Sequence, residues 1–276
     1  MMLDKERENA LQAIVDSWDV SSLQRPGGVA WAVRQFTRVY GNWAYLCGDQ
    51  FHLGGAVATD RLAARAGIRQ GMEVLDVACF LGGPARYLAR RFQCRVVGLD
   101  ISPACIQGAV LLTEAEGLAD RVSFIQGDAW DMPLEEDRFD VVWGQDSWAH
   151  EEGLFTECAR VLKPGGTLAF TNSVRGDLGA VVREADDTTY EAFTAEEYGD
   201  MLTESGFEIV SLEDSTLEVI ELWKDLEERL LRQRDNWQQQ LGAARLHAEE
   251  ESLAVTLADY LCNRIGHVRV VARKRR

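Results

Sequence analysis

The sequence predicts an α/β protein with a doubly wound, mostly parallel sheet. From Glu73 onward, short apolar segments rich in β-branched residues alternate with segments whose apolar residues recur at helical spacing. Turn residues separate these segments, most clearly at Lys163-Pro164-Gly165-Gly166. Strands that alternate with helices at this interval form βαβ units, and such units make a parallel sheet.

Each predicted element has its own local signal. Ser102 is placed to cap a helix that has Pro103 at its first position. The turn Lys163-Pro164-Gly165-Gly166 is placed to end another helix at Leu162. The predicted strands are 72–78, 94–100, 121–128, 139–146, 167–173 and 207–214, with a last strand from 267. The predicted helices are 84–92, 102–118, 151–162 and 194–205, followed by a long charged helical segment over 216–263.

The chain divides into a core and two additions. Residues 1–70 form a helical, aromatic-rich N-terminal segment that is expected to cap the substrate, and residues 71–214 form the cofactor-binding core. Residues 215–264 form a helical insertion, and residues 265–276 add the final strand and a basic tail. An insertion before the last strand lies where a lid over the carboxyl ends of the strands is expected.

Composition and charge exclude several classes of partner. Of the 276 residues, 29 are Lys or Arg and 45 are Asp or Glu, which gives a net charge of −16. A surface this acidic repels phosphate backbones and anionic lipids, so we expect a small-molecule substrate and neither nucleic acid nor a membrane. No apolar stretch approaches the roughly 18 residues that span a bilayer. We expect a cytoplasmic monomer or homodimer.

Cysteine and histidine spacing argues against a metal centre. The 6 cysteines include no CxxC pair, and the 4 histidines include no HExxH or HxxxH cluster. The N-terminus is charged and lacks the apolar centre of a signal peptide. We therefore expect no bound metal and a reducing compartment.

Acidic residues at the ends of the first three strands indicate an adenosine cofactor. In an open α/β sheet, ligands bind outside the carboxyl ends of the strands, where the strand order reverses. The first strand leads into Asp76, and the second ends in Asp100, whose carboxylate suits the two hydroxyls of a ribose. The third strand is followed by Asp128, which suits an adenine amino group, and by Trp130, which suits the ring face.

The order of five sequence blocks resembles that of a known family. The blocks VLDxxxxxGG, GLD, GDAWDMP, FDVVWGQD and ARVLKPGG, over roughly residues 70–212, look like the class I S-adenosylmethionine-dependent methyltransferases. YG…FHLGG (40–55), GGPARYLA (82–89) and WGQDSWAH (143–150) are most similar to small-molecule enzymes of the sarcosine/dimethylglycine N-methyltransferase kind. The resemblance implies a Rossmann-like, seven-stranded sheet with an antiparallel last strand. It also implies methyl transfer from a sulfonium to a substrate nucleophile.

The resemblance implies S-adenosyl-L-methionine as the cofactor. Gln145 is similar to the family position beside the methionine end of that cofactor. The competing nicotinamide dehydrogenase fingerprint, GxGxxG, is absent after the first strand. The implied cofactor-binding residues are Asp76, Ala78, Phe80, Gly82, Gly83, Asp100, Ile101, Asp128, Ala129, Trp130 and Gln145.

The loop after the first strand departs from the family pattern. The family usually reads Asp-x-Gly-x-Gly-x-Gly, and here Ala78 and Phe80 stand at the first two glycine positions while Gly82 is kept. Glycine serves there because the backbone approaches the cofactor and takes positive φ. Phe80 either covers the cofactor or lines the acceptor pocket of a reshaped loop, or it marks a loop that binds the cofactor poorly. The retained Asp76 and Asp100 favour a working site.

Two residues, one at the end of the fourth strand and one just after it, are candidates for catalysis. His150 is expected near the transferred methyl group as a base, or else it is a structural histidine at a helix start. Asp146 orients or neutralises a cationic amine, or it only caps the following helix. Methyl transfer itself mainly needs proximity, orientation and a dry pocket.

An aromatic group is the candidate for the acceptor site. Its rings either enclose a methylated ammonium through cation–π contacts or belong to the hydrophobic core. We therefore predict a methyltransferase for the nitrogen of a small amine or amino-acid-like acceptor. A thiol, a phenol or a carbon is an alternative acceptor, and a catalytically silent cofactor-binding protein is a further alternative. The aromatic candidates are Tyr40, Trp43, Tyr45 and Trp148.

Overall fold

A seven-stranded sheet organises the part of the chain that the structure describes. The computed structural model describes residues 50, 52–148, 153–177, 182–183, 189–190 and 193–276. The strands of the sheet are β1 (Glu73–Val77), β2 (Arg95–Asp100), β3 (Val122–Gln126), β4 (Phe139–Gln145), β5 (Leu162–Arg175), β6 (Phe207–Asp214) and β7 (Ile265–Lys274). The helices are α1 (Gly55–Ala66), α2 (Gly83–Phe92), α3 (Pro103–Ala115), α4 (Gly153–Val161), α5 (Ala195–Glu204), α6 (Thr216–Arg232), α7 (Arg234–Leu241) and α8 (Ala243–Leu261). A separate two-stranded ladder pairs Val182–Arg183 with Thr189–Tyr190.

The strand order across the sheet is β3–β2–β1–β4–β5–β7–β6. Strands β1 to β5 pair in parallel, and β7 runs antiparallel to both β5 and β6. This order confirms the predicted Rossmann-like, mostly parallel sheet with an antiparallel last strand. The order reverses between β1 and β4, so the carboxyl ends of these two strands lie side by side, with Asp76 paired to Trp143.

Two hydrophobic layers cover the sheet, because its central strands are buried on both faces. Helices α4 and α5 pack on one face, around Leu75 and Val142. Helices α1 and α2 pack on the other face, around Val74 and Trp143. Every residue of β4 except Asp140 is buried. A strand buried on both faces has a nearly continuous apolar sequence, which explains why β4 lacks the alternation of a half-exposed strand.

The start of α3 confirms its predicted signal. Ser102 is the capping residue, and its Oγ accepts the Cys105 N–H at 3.3 Å. Pro103 is the first helical residue, where its fixed φ suits the helix and no N–H is needed.

The turn Lys163–Gly166 lies inside β5 rather than before it. Opposite Asp140 of β4, these residues bulge out of the strand pairing. The Lys163 Nζ atom lies 2.8 Å from an Asp140 carboxylate oxygen, so an ion pair joins the bulge to β4. The predicted strand 167–173 is therefore the continuously paired part of a longer strand.

Helices α6 to α8 fill the interval between β6 and β7. They enclose a hydrophobic cluster of their own, which includes Trp223 and Leu226, and Leu53 packs against it. Ile265 at the start of β7 pairs with Arg175 at the end of β5. The insertion therefore leaves and rejoins the sheet at the edge formed by the carboxyl ends of the parallel strands, and its action as a lid stays a prediction.

Much of the predicted N-terminal segment, residues 1–70, lies outside the described residues. Within it, the structure describes Gln50 and the stretch from His52 through α1. The four-part division of the chain stays a prediction. Among the described helices, none combines the length and the apolar character that crossing a bilayer requires.

Candidate functional site

The carboxyl ends of β1, β2 and β4 bring predicted cofactor residues to one edge of the sheet. Strand β1 pairs with both β2 and β4, so Asp76 near its end lies between the ends of these two neighbours. Asp100 ends β2, and Gln145 ends β4. Residues that are far apart in sequence therefore meet at the point where the strand order reverses.

The loop after β1 follows the backbone path of a glycine-rich loop. Ala78, Phe80 and Gly82 have φ values of 58°, 49° and 71°. At Gly82, space as well as conformation demands glycine, because a Cβ atom there would lie 2.5 Å from the Phe124 ring. The departure in sequence at Ala78 and Phe80 therefore leaves the left-handed backbone of the loop in place.

Replacement of Ala78 by glycine is expected to leave the free energy of unfolding unchanged or to raise it by up to about 1.6 kcal/mol. An L-residue at positive φ costs roughly 1–2 kcal/mol, which glycine avoids, while glycine gives the unfolded chain more freedom at a cost of roughly 0.4–1 kcal/mol. Urea denaturation measures the difference. The control is Ala64→Gly on the exposed face of α1, where a loss of about 1 kcal/mol is expected. An equal loss at both positions would contradict the left-handed conformation of Ala78.

Asp100 holds this loop from the end of β2. One carboxylate oxygen accepts the Phe80 N–H at 2.9 Å, and the other accepts the Ser102 N–H at 2.9 Å. Burial raises the pKa of Asp100, and the two N–H groups oppose that rise. Each carboxylate oxygen has a second lone pair, so Asp100 keeps acceptor positions for two hydroxyl groups.

Asp76 is a buried carboxyl group with an unpaired oxygen. Asp76 is 3% exposed, and its Oδ2 atom has no hydrogen-bond partner among the described residues. Burial, together with the negative charge of Asp100, raises the pKa of Asp76 to about 8, although the Ala85 amide opposes the rise. An unpaired buried carboxyl oxygen is a position where a ligand supplies the missing hydrogen bond.

The segment after β3 exposes Asp128 and partly buries Trp130. One Asp128 carboxylate oxygen accepts the backbone N–H of Trp130 at 2.9 Å. The Trp130 indole N–H is buried without a hydrogen-bond partner among the described residues. Ala129 is half-buried, and Ile101 after β2 is 51% exposed. Contact of these residues with the cofactor stays a prediction.

Gln145 belongs to a buried polar network that the sequence did not predict. Its Oε1 accepts the Trp143 indole N–H at 3.1 Å and lies 3.2 Å from Thr59 Oγ1. Its Nε2 lies 3.1 Å from His52 Nδ1. On its other side, His52 Nε2 lies 3.1 Å from Gln50 Oε1 and 3.0 Å from Thr59 Oγ1. In the sequence, His52 is marked only by the FHLGG motif, and that motif indicates a resemblance to a family without indicating a contact between His52 and Gln145.

Asp146 is largely buried, with 10% of its side chain exposed, and has partners on both carboxylate oxygens. Oδ1 accepts the Thr171 hydroxyl at 2.9 Å and lies 2.8 Å from His267 Nε2, and Oδ2 accepts the Leu53 N–H at 2.7 Å. Burial by itself would raise the pKa of Asp146, but His267, His52 and the Leu53 N–H hold it below the ordinary value. Asp146 therefore ties the end of β4 to β5, to β7 and to the segment before α1, and its role in catalysis stays a prediction.

Ser215 continues this chain of hydrogen bonds on the far side of His267. The Ser215 Oγ atom lies 2.7 Å from His267 Nδ1. No motif marks Ser215 or His267, so neither residue is predicted from the sequence. Only the antiparallel pairing of β7, which sets His267 opposite Ser173 of β5, brings the imidazole to Asp146.

Trp148 lies in the hydrophobic core below this edge. Its ring stacks on Phe170 with centroids 4.8 Å apart, and its indole N–H donates to the Val77 carbonyl at 3.2 Å. Gly144 makes room for the ring, because a Cβ atom there would lie 2.1 Å from the indole. A role for Trp148 in an acceptor enclosure stays a prediction.

The remaining candidates, Tyr40, Trp43, Tyr45 and His150, lie outside the described residues. Within the described ranges, no group of three or more His, Cys, Asp and Glu side chains is arranged to hold a metal ion.

The matched family model covers the same edge of the sheet. A model described as "Methyltransferase domain" matches residues 74–166. This stretch contains β1 to β4, the loop after β1 and the Lys163–Gly166 turn. Residues 74–166 therefore belong to a methyltransferase domain family.

The curated relatives share the methyltransferase domain rather than their full length. The sterol 24-C-methyltransferase of Gibberella zeae is 40% identical over 122 residues, which are 43% of this chain and 32% of that protein. The chain thus spans about a third of the length of this relative. Its sterol substrate is therefore not carried over by the match.

Solved structures of the same fold include two named methyltransferases and a cyclase. A protein described as a sarcosine dimethylglycine methyltransferase, from Galdieria sulphuraria, has a TM-score of 0.71 and 21% identity over 79% of this chain and 86% of its own. Phosphoethanolamine N-methyltransferase 2 of Haemonchus contortus, in complex with S-adenosyl-L-methionine, has a TM-score of 0.78 and 21% identity over 88% of this chain and 60% of its own. The [4+2]-cyclase SpnF has a TM-score of 0.64 and 27% identity over 79% of this chain and 80% of its own. At 21% identity, the first two share the fold alone.

S-adenosyl-L-methionine is the cofactor of this family, and the residues at the edge fit it. Asp76 offers an unpaired buried oxygen, and Asp100 offers acceptor positions for the ribose hydroxyls. The left-handed loop from Ala78 to Gly82 has the backbone that lets main chain approach a ligand closely. Asp76, Asp100 and this loop are the groups that would hold the cofactor.

Proposed function

We propose that this protein transfers a methyl group from S-adenosylmethionine to the nitrogen of a small amine or amino-acid-like molecule. The observation that carries the proposal is the loop after β1, which keeps its left-handed path and is fixed by Asp100 beside the unpaired oxygen of Asp76. When bound, the cofactor supplies a methyl group that its sulfonium makes electrophilic. The chain contributes positioning and exclusion of water.

Some of the named residues are proposed to bind the cofactor, and others are proposed to bind the acceptor. Asp76 and Asp100 hold the cofactor at the ends of β1 and β2. Gln145, fixed by its buried network, shapes the end of β4. His150 is proposed as the base that takes the proton from the acceptor nitrogen, and the rings of Tyr40 and Trp43 are proposed to wall the acceptor. Helices α6 to α8 are proposed to close over the edge as a lid.

A nitrogen acceptor is favoured by charge and by the names of two fold neighbours. The chain carries a net charge of −16, which draws a cationic amine toward its surface. Asp146 adds a buried carboxylate at the end of β4 whose pKa is lowered by His267 despite the opposing effect of burial. Two solved structures of this fold are named for sarcosine/dimethylglycine and phosphoethanolamine. The name of the sterol relative keeps a carbon acceptor as the alternative.

A second candidate function is cofactor binding without methyl transfer. It is favoured by the name of the [4+2]-cyclase SpnF, which is 27% identical, and by Ala78 and Phe80 at two glycine positions. A protein of this kind would bind the cofactor and would leave its methyl group in place. Binding and turnover must therefore be measured separately.

The test combines calorimetry with a panel of acceptors. We expect the full chain to bind S-adenosylhomocysteine with a Kd below about 100 μM, and to release S-adenosylhomocysteine from S-adenosylmethionine when glycine, sarcosine or dimethylglycine is present. Thiols, phenols and a sterol serve as comparison acceptors. Turnover with only a thiol, a phenol or the sterol would show that the accepting atom is sulfur, oxygen or carbon rather than nitrogen. Binding of S-adenosylhomocysteine without turnover of any acceptor would favour the second candidate function. Absence of binding would contradict both candidate functions.

The setting of the reaction belongs to the same proposal. We place the protein in the cytoplasm, acting on a small molecule as a monomer or homodimer, and binding neither nucleic acid nor a membrane. Its acidic charge supports the absence of binding to nucleic acid and to anionic membranes. Sedimentation of the purified chain distinguishes the monomer from the dimer.

A further inference from the structure

His267 joins segments of the protein that are remote in sequence. Its Nε2 lies 2.8 Å from Asp146 Oδ1, and its Nδ1 lies 2.7 Å from Ser215 Oγ. Its backbone N–H donates to the Thr216 hydroxyl at 2.9 Å. Ser215 and Thr216 begin helix α6 of the insertion, whereas Asp146 directly follows β4. With only 3% of the residue exposed, His267 acts through its neighbours rather than on a substrate.

Both imidazole nitrogens keep a partner whether the ring is neutral or charged. A carboxylate only accepts hydrogen bonds, so Nε2 carries a proton toward Asp146. In the neutral ring, the Ser215 hydroxyl donates to Nδ1. In the charged ring, Nδ1 donates to Ser215 Oγ, and the hydroxyl proton turns to the His267 carbonyl at 3.2 Å. The connection survives a change of ring charge, which suits a mechanical link.

Asp146 extends the connection to the segment before α1. Its Oδ2 atom accepts the Leu53 N–H at 2.7 Å. The Leu53 side chain packs against the hydrophobic cluster of the insertion. Gln145, the neighbour of Asp146, faces the network that contains His52. The hydrogen-bond path therefore runs from the start of α6 through Ser215, His267 and Asp146 to the residues that flank the cofactor edge.

We propose that His267 is a positioning residue that couples the seating of helix α6 to the arrangement of the carboxyl end of β4. The inference rests on the proposed function only in treating this edge as the cofactor site. Its distinctive consequence is a long-range effect. Removal of the Ser215 hydroxyl must loosen the Leu53 amide, which is bonded to Asp146 and not to Ser215.

The first experiment measures amide hydrogen exchange of the full chain without ligand. In Ser215→Ala, we expect exchange to quicken at least about threefold both in the first turn of α6 and in the peptide that contains Leu53. Thr171→Val is the matched control, because the Thr171 hydroxyl donates to the same Asp146 oxygen and belongs to β5 rather than to the insertion. Because the coupling is reciprocal, it should quicken exchange at Leu53 and, to a smaller extent, in the first turn of α6. Wild-type exchange at Leu53 in Ser215→Ala would overturn the proposal.

A double-variant experiment distinguishes an effect transmitted through the hydrogen bonds from one transmitted through the packing of Leu53 on the insertion. In His267→Gln, addition of Ser215→Ala should change Leu53 exchange by less than about 1.5-fold, because the path is already interrupted. The same quickening as in the wild-type background would show that packing carries the effect, which overturns the proposal. If His267→Gln does not fold, Asp146→Asn interrupts the same path and serves as the background.

The last arm uses S-adenosylhomocysteine as the probe. At saturation, it should slow exchange in the first turn of α6 at least about threefold in the wild-type protein and leave it unchanged in His267→Gln. Equal slowing in both proteins would overturn the coupling. Calorimetry on the same samples tests binding itself. Failure of the wild-type protein to bind would contradict the proposed function, while the exchange measurements without ligand still decide the role of His267.

Discussion

Replacement of Asp100 by alanine is expected to weaken the binding of S-adenosylhomocysteine by at least about 100-fold. The change removes the carboxylate that accepts the Phe80 and Ser102 N–H groups, both at 2.9 Å, and it removes the acceptors for the ribose. Loss of a hydrogen bond to a charged group costs roughly 1.5–3 kcal/mol, and about 1.4 kcal/mol corresponds to a tenfold change in Kd. Two such losses therefore reach the stated factor. Isothermal calorimetry with the full chain measures it.

The matched control for this change is Asp140→Ala at the opposite edge of the sheet. Asp140 also accepts a backbone N–H, that of Glu73 at 2.8 Å, and it pairs with Lys163 at 2.8 Å. Its loss should lower the free energy of unfolding by an amount similar to the loss at Asp100. It should change the Kd for S-adenosylhomocysteine by less than about threefold. An equal weakening in both variants would assign the effect at Asp100 to general loosening of the fold.

The cofactor edge is the part of the molecule that the sequence predicts best, because each of its residues follows a strand with a strong local signal. Asp76 and Asp100 end runs of apolar, β-branched residues, and a parallel sheet brings the ends of such strands to one edge. Ser102 needs only its neighbours in sequence to form a helix cap. The structure of such motifs is determined by a few neighbouring residues, so it can be predicted from the sequence.

The hydrogen bonds around Asp146, in contrast, depend on residues that are far apart in the sequence. Asp146 and His267 are separated by 121 positions, and their contact depends on the register of β7 against β5. A slip of one residue would turn the imidazole to the other face of the sheet. Local patterns of apolar residues do not specify that register, so the sequence placed Asp146 at the end of β4 and missed its partner.

The same limit applies to Trp148. Its aromatic ring suits both an acceptor wall and a core, and composition does not distinguish these roles. The ring is seated in the core by the space above Gly144, where a Cβ atom would lie 2.1 Å from the indole. Such a fit between residues close in sequence follows from the path of the backbone after β4, which turns at Asp146 with a φ of 54°. A left-handed aspartate carries no clear signal in a single sequence.

Asp76→Asn is expected to stabilise the protein increasingly as the pH rises from 5 to 8. The reason is that burial and the charge of Asp100 raise the pKa of Asp76 from 3.8 to about 8. Between these values the unfolded chain has lost the proton that the native state keeps. Because the native state then binds more protons than the unfolded state, wild-type stability falls with rising pH by up to about 1.4 kcal/mol per unit. Asparagine does not titrate and escapes this loss.

Urea denaturation at pH 5, 6, 7 and 8 measures the difference between wild type and Asp76→Asn. The variant should be close to wild type at pH 5 and more stable by at least about 1 kcal/mol at pH 8. Asp140→Asn is the control of opposite sign. Burial would raise the pKa of Asp140, but Lys163 and the Glu73 N–H lower it below 3.8. Its contribution is therefore complete above about pH 4 and is lost only below that pH, so the difference from wild type stays constant from pH 5 to 8.

The pH profile also decides what Asp76 contributes to the site. A difference between wild type and Asp76→Asn that does not change from pH 5 to 8 would mean that the native carboxyl is ionised throughout, and a cationic group would then have to lie beside its unpaired oxygen. A difference that grows with pH means that the folded protein carries a neutral buried carboxyl, which destabilises it above its unfolded pKa. Such a group is typical of a binding site. We accordingly expect Asp76→Asn to gain stability at pH 8 and to bind S-adenosylhomocysteine at least about tenfold more weakly, whereas Asp140→Asn changes neither its pH profile nor its affinity.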